Sequence, residues 1–335
     1  MPPDPIFPEP LVSRRSLLQG ALASALPLAA GTASAANPLV VGGLAVTCNL
    51  TLPVACVARG GGVFEYSRYN GWPEVKESLM TGGIQAAFML APLVMDLADK
   101  RIPVKIVSLG HRSGAVIMVR TDSPYKTFRE LAGKRIAIPS RFAVDFLFLR
   151  KMLAQERMAP KDIVLIEMAP ADMPAALYAK AVDAYCTGEP FGAAAQRAGY
   201  ARPLRMTRDE WRNYICCVLT VREELIAKNR PLVQDLVNHI LGAGIWLDQK
   251  QENRNKAVTI AAGRKFFNQD PNIIRFVMEN PVDRVTYGDL RMIRAEFDEL
   301  MQLSVEAGTL KAPVAYEKYM DESFVKAARA APITL

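Results

Sequence analysis

The feature that most constrains this chain is the alternation of short apolar segments with helical segments between residues 39 and 197. Short apolar runs bounded by glycine, proline or polar residues are typical of buried strands, whereas longer segments with a 3.6-residue apolar period are typical of helices. The predicted strands are residues 39–46, 84–89, 104–109, 115–119, 135–138, 163–167 and 182–186. Strands that alternate with helices in this way form parallel βαβ units, so the sequence predicts the α/β class.

A length of 335 residues suggests two domains, and the strand pattern admits two arrangements of them. The two groups of βα units could be consecutive domains. Alternatively, the chain could leave its first lobe at residues 119–121 and return to it at residues 212–218, which makes residues 119–215 an insert. Because an open α/β lobe binds ligands beyond the carboxyl ends of its strands, two such lobes facing each other would enclose a cleft.

The first 35 residues are typical of an export signal. Arg14-Arg15 precedes an apolar stretch, residues 17–30, and Ala33-Ser34-Ala35 supplies the small residues that a signal peptidase requires. The arginine pair favours a twin-arginine signal peptide, although a plain secretory signal would share the other features. We therefore expect residues 1–35 to be removed, and we expect the mature chain to be periplasmic, with no membrane span.

Five cysteines follow this signal. An odd number cannot pair completely within one chain, and their spacing is not that of a disulfide framework, so we expect buried free thiols. The first of them lies well beyond the cleavage site, which argues against a lipid anchor. With only two histidines, the spacing indicates no His/Cys metal cluster, and we expect neither a metal nor a cofactor. These residues are Cys48, Cys56, Cys186, Cys216, Cys217, His111 and His239.

The composition excludes several classes of function. A chain that is 50% apolar and 22% charged has ordinary globular composition rather than that of a disordered protein. The net charge of +7 is not concentrated in a Lys/Arg block, so we expect no nucleic-acid partner. We also expect no enzyme, because no nucleophile–base–orienter set is recognisable by spacing and Gly60-Gly61-Gly62 lacks the Lys-Ser/Thr of a phosphate loop.

Three stretches, residues 81–92, 131–137 and 182–190, occur in an order and spacing that resemble a known family. Together they resemble the substrate-binding proteins of nitrate/sulfonate/bicarbonate ABC importers, and Met89-Leu90-Ala91-Pro92 with Trp72 is most similar to the nitrate and bicarbonate branch. The resemblance implies a two-lobed periplasmic-binding-protein type II fold with a central cleft and a discontinuous first lobe. It also implies a small-molecule ligand that is delivered to a permease and an ATPase, and we expect a monomer. The lobes would be residues 36–118 plus 216–335 and residues 119–215.

The chain departs from the nitrate branch at two positions. That branch has a histidine where this chain has Asp145 or the nearby Phe142, and a lysine where this chain has Cys217. These departures leave two ligand classes open, a small oxyanion and a planar cationic or neutral nitrogen compound, guanidinium- or pyrimidine-like. The family branch favours the anion, as does a second lobe with 16 Lys and Arg against 11 Asp and Glu. A periplasmic sensor module is a further alternative. A thiamin-pyrimidine synthase is disfavoured, because residues 215–218 hold too few cysteines.

Eleven residues are the candidate ligand contacts. Trp72 offers a flat wall or a cation-binding face, and a helix that begins near Ala91 directs backbone N–H groups towards strand ends. His111 and Arg112 follow a strand and are donors, and an arginine can hold an oxyanion with two hydrogen bonds. The full set is Trp72, Cys48, Asn49, Leu90, Ala91, His111, Arg112, Ser140, Asp145, Glu189 and Cys217.

Three of these assignments have a structural alternative. Trp72 could belong to the core, and the glycine-flanked turn of residues 110–114 could be solvated. Glu189, which precedes Pro190, could cap a helix or accept a hydrogen bond between the lobes. The sequence leaves these alternatives open.

Changing both Arg14 and Arg15 to lysine keeps the charge of the leader but removes the pair that the twin-arginine translocase reads. We expect the precursor to accumulate in the cytoplasm, as measured by immunoblotting of cell fractions. Glu9→Gln in the same leader should leave export unchanged. Normal export of the double variant would contradict the twin-arginine assignment.

Overall fold

The computed structural model describes residues 37–212 and 214–335. The predicted signal peptide, residues 1–35, lies outside the described residues. Each helix within the described ranges is too short or too polar to cross a membrane.

The described residues contain strands and helices in alternating order. The strands are β1 (Leu39–Leu44), β2 (Phe64–Tyr69), β3 (Ala86–Leu90), β4 (Val104–Leu109), β5 (Arg112–Ser113), β6 (Ala115–Arg120), β7 (Arg135–Ile138), β8 (Val164–Glu167), β9 (Ala184–Gly188), β10 (Ala201–Met206), β11 (Cys217–Arg222) and β12 (Val285–Thr286). The helices are α1 (Thr51–Arg59), α2 (Trp72–Thr81), α3 (Ala91–Asp99), α4 (Val144–Gln155), α5 (Met173–Tyr178), α6 (Phe191–Arg197), α7 (Thr207–Glu210), α8 (Glu223–Lys228), α9 (Arg230–Gln249), α10 (Gln251–Ala262), α11 (Pro271–Glu279), α12 (Arg294–Glu306), α13 (Tyr316–Tyr319) and α14 (Ser323–Lys326).

The first sheet has the strand order β2-β1-β3-β11-β4. β1 pairs in parallel with β2 and β3, whereas β11 runs antiparallel to both of its neighbours, β3 and β4. In sequence, β11 follows every strand of the second sheet. The chain therefore passes between the sheets twice, through residues 110–114 and residues 207–216.

The second sheet has the strand order β10-β6-β9-β7-β8. β7 pairs in parallel with β8 and β9, and β6 runs antiparallel to β9 and β10. At the first crossing between the sheets, β5 pairs with β12 in a two-stranded ribbon. Each sheet therefore combines a group of parallel strands with one strand that runs in the opposite direction.

The second sheet begins earlier in the chain than the sequence indicates. Ala115 to Val119 pair with Gly188 to Ala184 of β9, so this segment belongs to the second sheet, whereas the expected lobe boundary is residue 119. An apolar run shows that a strand is buried, but it does not show which sheet the strand joins. The first crossing is therefore residues 110–114 rather than residues 119–121.

Five strands were not predicted from the sequence: β5, β11, β12 and the two edge strands β2 and β10. β2 and β10 have features in common. Each lies at an edge of its sheet, where one side of the backbone ladder has no neighbouring strand. β2 alternates buried and more exposed residues and includes Glu65 and Arg68, and β10 contains Pro203, which edge strands tolerate. Edge positions require fewer apolar residues than central ones, so β2 and β10 form without the apolar runs that mark the predicted strands.

Two buried arginines attach the segment after β11 to the rest of the fold. Arg112 in β5 donates from Nη1 to Glu296 in α12 across 2.9 Å, and Arg284 donates from Nε to Glu189 after β9 across 2.6 Å. Burying a guanidinium without a counter-charge is costly, so each carboxylate is needed to neutralise the arginine that it contacts. These ion pairs tie the segment after β11 to the first crossing and to the turn that follows β9.

Gly244→Ala tests the close packing of α9 against the segment after β12. Alanine normally stabilises a helix relative to glycine by about 0.5–1 kcal/mol. At Gly244 the added Cβ would clash with the Tyr287 carbonyl oxygen and lie 2.8 Å from Leu290 Cδ1. We expect destabilisation by about 1–3 kcal/mol in urea unfolding, whereas Gln249→Ala, exposed at the end of the same helix, should change stability by less than ~0.5 kcal/mol. An unchanged or raised stability for Gly244→Ala would contradict this packing.

Candidate functional site

The carboxyl ends of strands from the two sheets meet at one contact. Thr47, just beyond β1, donates its backbone N–H to the Glu189 carbonyl just beyond β9 across 2.8 Å. The Thr47 hydroxyl donates to the same carbonyl across 3.1 Å. α/β sheets bind ligands beyond the carboxyl ends of their parallel strands. The interface around this contact is therefore the candidate site.

A buried group of sulfur and nitrogen atoms lies beside this contact, and we call Cys48, His111, Cys216 and Cys217 the thiol–imidazole cluster. One side-chain atom from each of Cys48, His111 and Cys217 lies within 4.8 Å of the other two. The Cys216 and Cys217 sulfurs are 3.9 Å apart. All four residues are at most 3% exposed. Sequence spacing indicated no such cluster, because these residues lie after β1, after β4 and at the start of β11, and only the pairing of strands brings them together.

Four polar atoms in and around this cluster have no hydrogen-bond partner among the described residues. They are Asn49 Oδ1, His111 Nδ1, Asp145 Oδ1 and the Tyr214 hydroxyl. Asp145 lies in the first turn of α4 and is 2% exposed, and Tyr214 is fully buried. An unsatisfied buried polar group costs about 1–3 kcal/mol, so several of them in one place are unusual in a folded protein. A ligand with its own donors or acceptors would satisfy them.

Burial sets the protonation of this region. It raises the pKa of Asp145 well above its usual range, with a further rise from the nearby Cys216 thiol, and both effects favour the neutral acid. Burial also raises the pKa of Tyr214 and of Cys217. Hydrogen bonds from the Cys216 and Cys217 thiols lower the pKa of Cys48 to about 6. Burial thus favours the protonated forms of Asp145, Tyr214 and Cys217, whereas the Cys48 thiol is more acidic than usual.

Arg112 is not available to a ligand in this structure. It is 7% exposed, and besides the ion pair with Glu296 it donates to the carbonyls of Asp289 and Arg291 across 2.7 and 2.8 Å. The turn that carries it is buried rather than solvated, because β5 pairs with β12 there. His111 next to it points into the cluster, so neighbouring residues of one turn have different roles.

Glu189 has a structural role in this structure. Its carboxylate pairs with Arg284 and accepts a hydrogen bond from the Ala193 N–H of α6 across 2.8 Å. It is fully buried. Of the alternatives that the sequence leaves open, the structure therefore favours a helix-capping and interlobe acceptor over a ligand contact.

Trp72 and Ser140 line a separate pocket of about 370 Å³ between α2 and the loops that follow β7 and β8. Trp72 begins α2 and is 4% exposed, so most of its ring is packed in the core. Glu74 and Glu167 also line this pocket, and among its described lining residues there is no lysine or arginine. The pocket suits a neutral or cationic group better than an anion.

Three further predicted contacts, Asn49, Leu90 and Ala91, are neighbours of cluster residues and make structural hydrogen bonds or strand pairs. Asn49 Nδ2 donates to the Leu44 carbonyl across 2.9 Å, and Leu90 pairs with Cys217 in the ladder between β3 and β11. The Ala91 N–H donates to the Cys216 carbonyl across 3.0 Å. The first N–H of α3 is therefore already used and holds Cys216 in place.

Sequence reasoning missed Tyr214, Cys216 and Arg284 as residues of this region. The Cys216-Cys217 pair stands at the start of an apolar segment, but the resemblance to the nitrate branch points only to Cys217. Tyr214 and Arg284 lie outside any pattern that indicates a site, and long-range packing alone places them here.

Comparison with known proteins assigns the chain to a family. Residues 44–262, more than half of the chain, match the NMT1-like family, and the chain belongs to that family. The nitrate/nitrite binding protein NrtA of Nostoc sp. (strain PCC 7120) is 26% identical over 251 residues, which are 68% of this chain and 56% of that protein. The chain spans about half the length of the curated nitrate/nitrite binding proteins that it matches.

Solved structures share the fold. The ligand-binding component of an ABC-type import system from Staphylococcus aureus, solved with zinc bound, has a TM-score of 0.79 and 26% identity, covering 88% of this chain and 100% of that one. The periplasmic nitrate-binding protein NrtA of Synechocystis PCC 6803 has a TM-score of 0.77 and 18% identity, covering 87% of each chain. The desulfurization enzyme DszB has a TM-score of 0.64 and 17% identity, covering 87% of this chain and 98% of that one.

These comparisons confirm two predictions from the sequence. The α/β periplasmic-binding-protein fold is confirmed, as is the resemblance to nitrate and sulfonate binding proteins. NrtA is named as a binding protein, whereas DszB is an enzyme with the same fold. The fold alone therefore does not distinguish binding from catalysis.

Asp145→Asn tests the buried neutral acid. Because the folded pKa is raised, the native state binds more protons than the unfolded state once the pH exceeds the unfolded pKa of ~3.9, and stability then falls as the pH rises. Asparagine removes this loss, so the stability of Asp145→Asn relative to the wild type should grow by up to ~1.4 kcal/mol per pH unit between these two pKa values.

Urea unfolding of both proteins from pH 5 to pH 8, in reducing buffer, measures this difference. Asp99→Asn, exposed at the end of α3, is the matched control and should show no growing difference. A difference for Asp145→Asn that stays constant across this pH range would contradict a neutral buried Asp145.

Proposed function

We propose that the chain is the solute-binding component of an ABC importer, which captures a small solute between two lobes and passes it to a permease and an ATPase. The observation that carries this proposal is the set of unpartnered polar atoms buried where strand ends of the two sheets meet. NrtA and the S. aureus import component support the same role by their names. With it we propose export by the twin-arginine route, a periplasmic monomer and no catalytic activity.

The lobes of this importer component would be built on the two sheets. We propose that residues 110–114 and 207–216 act as the hinges, since both connections between the sheets run through them. The Thr47–Glu189 hydrogen bonds join the turn after β1 of the first sheet to the turn after β9 of the second sheet. Contacts of this kind form when two lobes close. The lobe boundary of residue 119 accordingly moves to Ala115.

A small oxyanion of the nitrate, sulfonate or bicarbonate kind is the proposed solute. The names of the relatives support an anion, and so does the positive balance of the second lobe. Arg112 and Arg284 are both committed to carboxylates. The anion would therefore be held by uncharged donors, namely His111, Tyr214 and the protonated Asp145, which keeps it selective for a small solute that accepts several hydrogen bonds.

A planar cationic or neutral nitrogen compound is the second candidate solute. The observation that favours it is the pocket beside Trp72, which is lined by Glu74 and Glu167. Glu167 is paired with Arg141 across 3.3 Å. The Glu74 carboxylate beside the uncovered edge of Trp72 suits a guanidinium- or pyrimidine-like group. The same protein could instead act as a periplasmic sensor module. Co-purification with a permease and an ATPase would support the importer role over the sensor role.

A thermal-shift screen with nitrate, nitrite, bicarbonate, alkylsulfonates, guanidinium and pyrimidines should identify the solute. A ligand at 100 times its dissociation constant stabilises the native state by ~2.7 kcal/mol. Small-angle X-ray scattering with the identified solute should then show a smaller radius of gyration as the lobes close. If no solute shifts the transition, or if the radius is unchanged at saturation, the trapping role fails.

Calorimetry on variants separates the two solute classes. For an anion we expect His111→Ala to weaken binding by about tenfold or more, since it removes a buried donor worth about 1.5–3 kcal/mol to a charged ligand. Asp145→Asn should keep or raise the affinity, because the amide still donates. His239→Ala on α9 is the matched control and should bind normally. Normal binding in His111→Ala together with weaker binding in Glu74→Gln, which lines the Trp72 pocket, would instead support the nitrogen compound.

A further inference from the structure

Three of the buried residues between the sheets provide metal-ligand atoms at close range. Cys48, His111 and Cys217 each contribute one such atom, and the three atoms lie within 4.8 Å of one another. Cys48 is 2% exposed, Cys217 is 1% exposed and His111 is fully buried. Buried thiols and imidazoles more often face apolar side chains than each other, so their convergence requires an explanation.

The space between these three atoms suits a single atom rather than a polyatomic solute. Three atoms no further apart than 4.8 Å all lie within about 2.8 Å of a common point. Zinc binds sulfur at about 2.3 Å and imidazole nitrogen at about 2.0–2.1 Å. The ligands would each need to move inward by less than about 1 Å, which side-chain rotation provides.

The chemistry of the donors selects a class of metal. Two thiols and one imidazole are soft or borderline ligands, which suit Zn²⁺ and Cu⁺ and do not suit Ca²⁺ or Mg²⁺. We propose that the sulfurs of Cys48 and Cys217 and one ring nitrogen of His111 hold a thiophilic transition-metal ion, Zn²⁺ foremost, between the two sheets. This inference does not rest on the importer role.

The backbone positions the ligands in advance. Cys217 begins β11 and pairs with Leu90 of β3, and the next residue, Val218, pairs with Leu109 at the end of β4, which His111 follows closely. Cys48 lies in a turn whose Thr47 carbonyl accepts a hydrogen bond from the Tyr287 hydroxyl across 2.8 Å. Ligands held on strands and on a braced turn lose little freedom when the metal binds.

Neither nitrogen of the His111 ring is strongly engaged within the described part of the chain. Nε2 accepts a long hydrogen bond of 3.3 Å from the Cys217 N–H, and Nδ1 is without a partner among the described residues. A fourth position remains for the Cys216 sulfur, which is 3.9 Å from that of Cys217, or for a solute. Three protein ligands with one open position are typical of zinc sites that bind a further group.

The test uses the purified full chain, reduced and stripped of metal with a chelator. Titration with Zn²⁺ against a chromophoric competitor should give one equivalent per chain. Co²⁺ should give tetrahedral ligand-field absorption together with thiolate-to-cobalt charge transfer. Cys48→Ser and Cys217→Ser should each weaken zinc binding by more than ~100-fold, since loss of an outer-shell partner alone costs 10–100-fold.

Cys56→Ser is the matched control, because Cys56 is also a buried cysteine but lies in α1 outside the cluster. It should bind zinc as the wild type does. The cobalt spectrum of the wild-type protein reports the thiolate ligands even if a variant fails to fold. The absence of stoichiometric zinc binding by the reduced wild type, a cobalt spectrum without thiolate charge transfer, or unchanged binding in folded Cys48→Ser and Cys217→Ser would each overturn the proposal. Anion binding measured on zinc-free and zinc-loaded protein tests the importer role separately.

Discussion

Strand β11 is the element on which the rest of the structure depends. It inserts between β3 and β4 and pairs antiparallel with both, although the whole second sheet precedes it in sequence. Its insertion completes the first sheet. The strands of the second sheet therefore lie, in sequence, between two segments of the first sheet. It also places the adjacent thiols of Cys216 and Cys217 against the turns that follow β1 and β4. The candidate site is thus a consequence of one long-range strand pairing.

The distribution of charge decides what chemistry remains at this site. Arg112 and Arg284 are buried with their carboxylate partners, because an unpaired buried guanidinium would cost more than the fold can offset. The cluster is left with thiols, an imidazole, a phenol and a neutral carboxyl group. Such groups donate hydrogen bonds and ligate metals, but they carry no permanent positive charge.

The predicted site residues fall into two groups, according to whether their polar groups already have partners within the protein. Residues that were plausible anion contacts by charge, such as Arg112, are held by other parts of the protein. Residues that were plausible core by burial, such as Cys48 and Tyr214, lie beside unpartnered polar groups. We therefore base the proposed site on burial and on missing hydrogen-bond partners rather than on formal charge.

The sequence by itself determined seven of the strands, namely β1, β3, β4 and β6 to β9, and most helices, because their apolar periodicity follows from burial and is local to each segment. β4 and β7 have the predicted bounds, Val104–Leu109 and Arg135–Ile138. It also determined the family, which rests on local motifs. Only the tertiary structure decided which sheet β6 joins, which carboxylates neutralise the arginines, and that Cys48, His111 and Cys217 converge. Those outcomes depend on contacts between segments far apart in the chain. Such contacts produce no periodic pattern of apolar residues in either segment, so they cannot be predicted from one sequence.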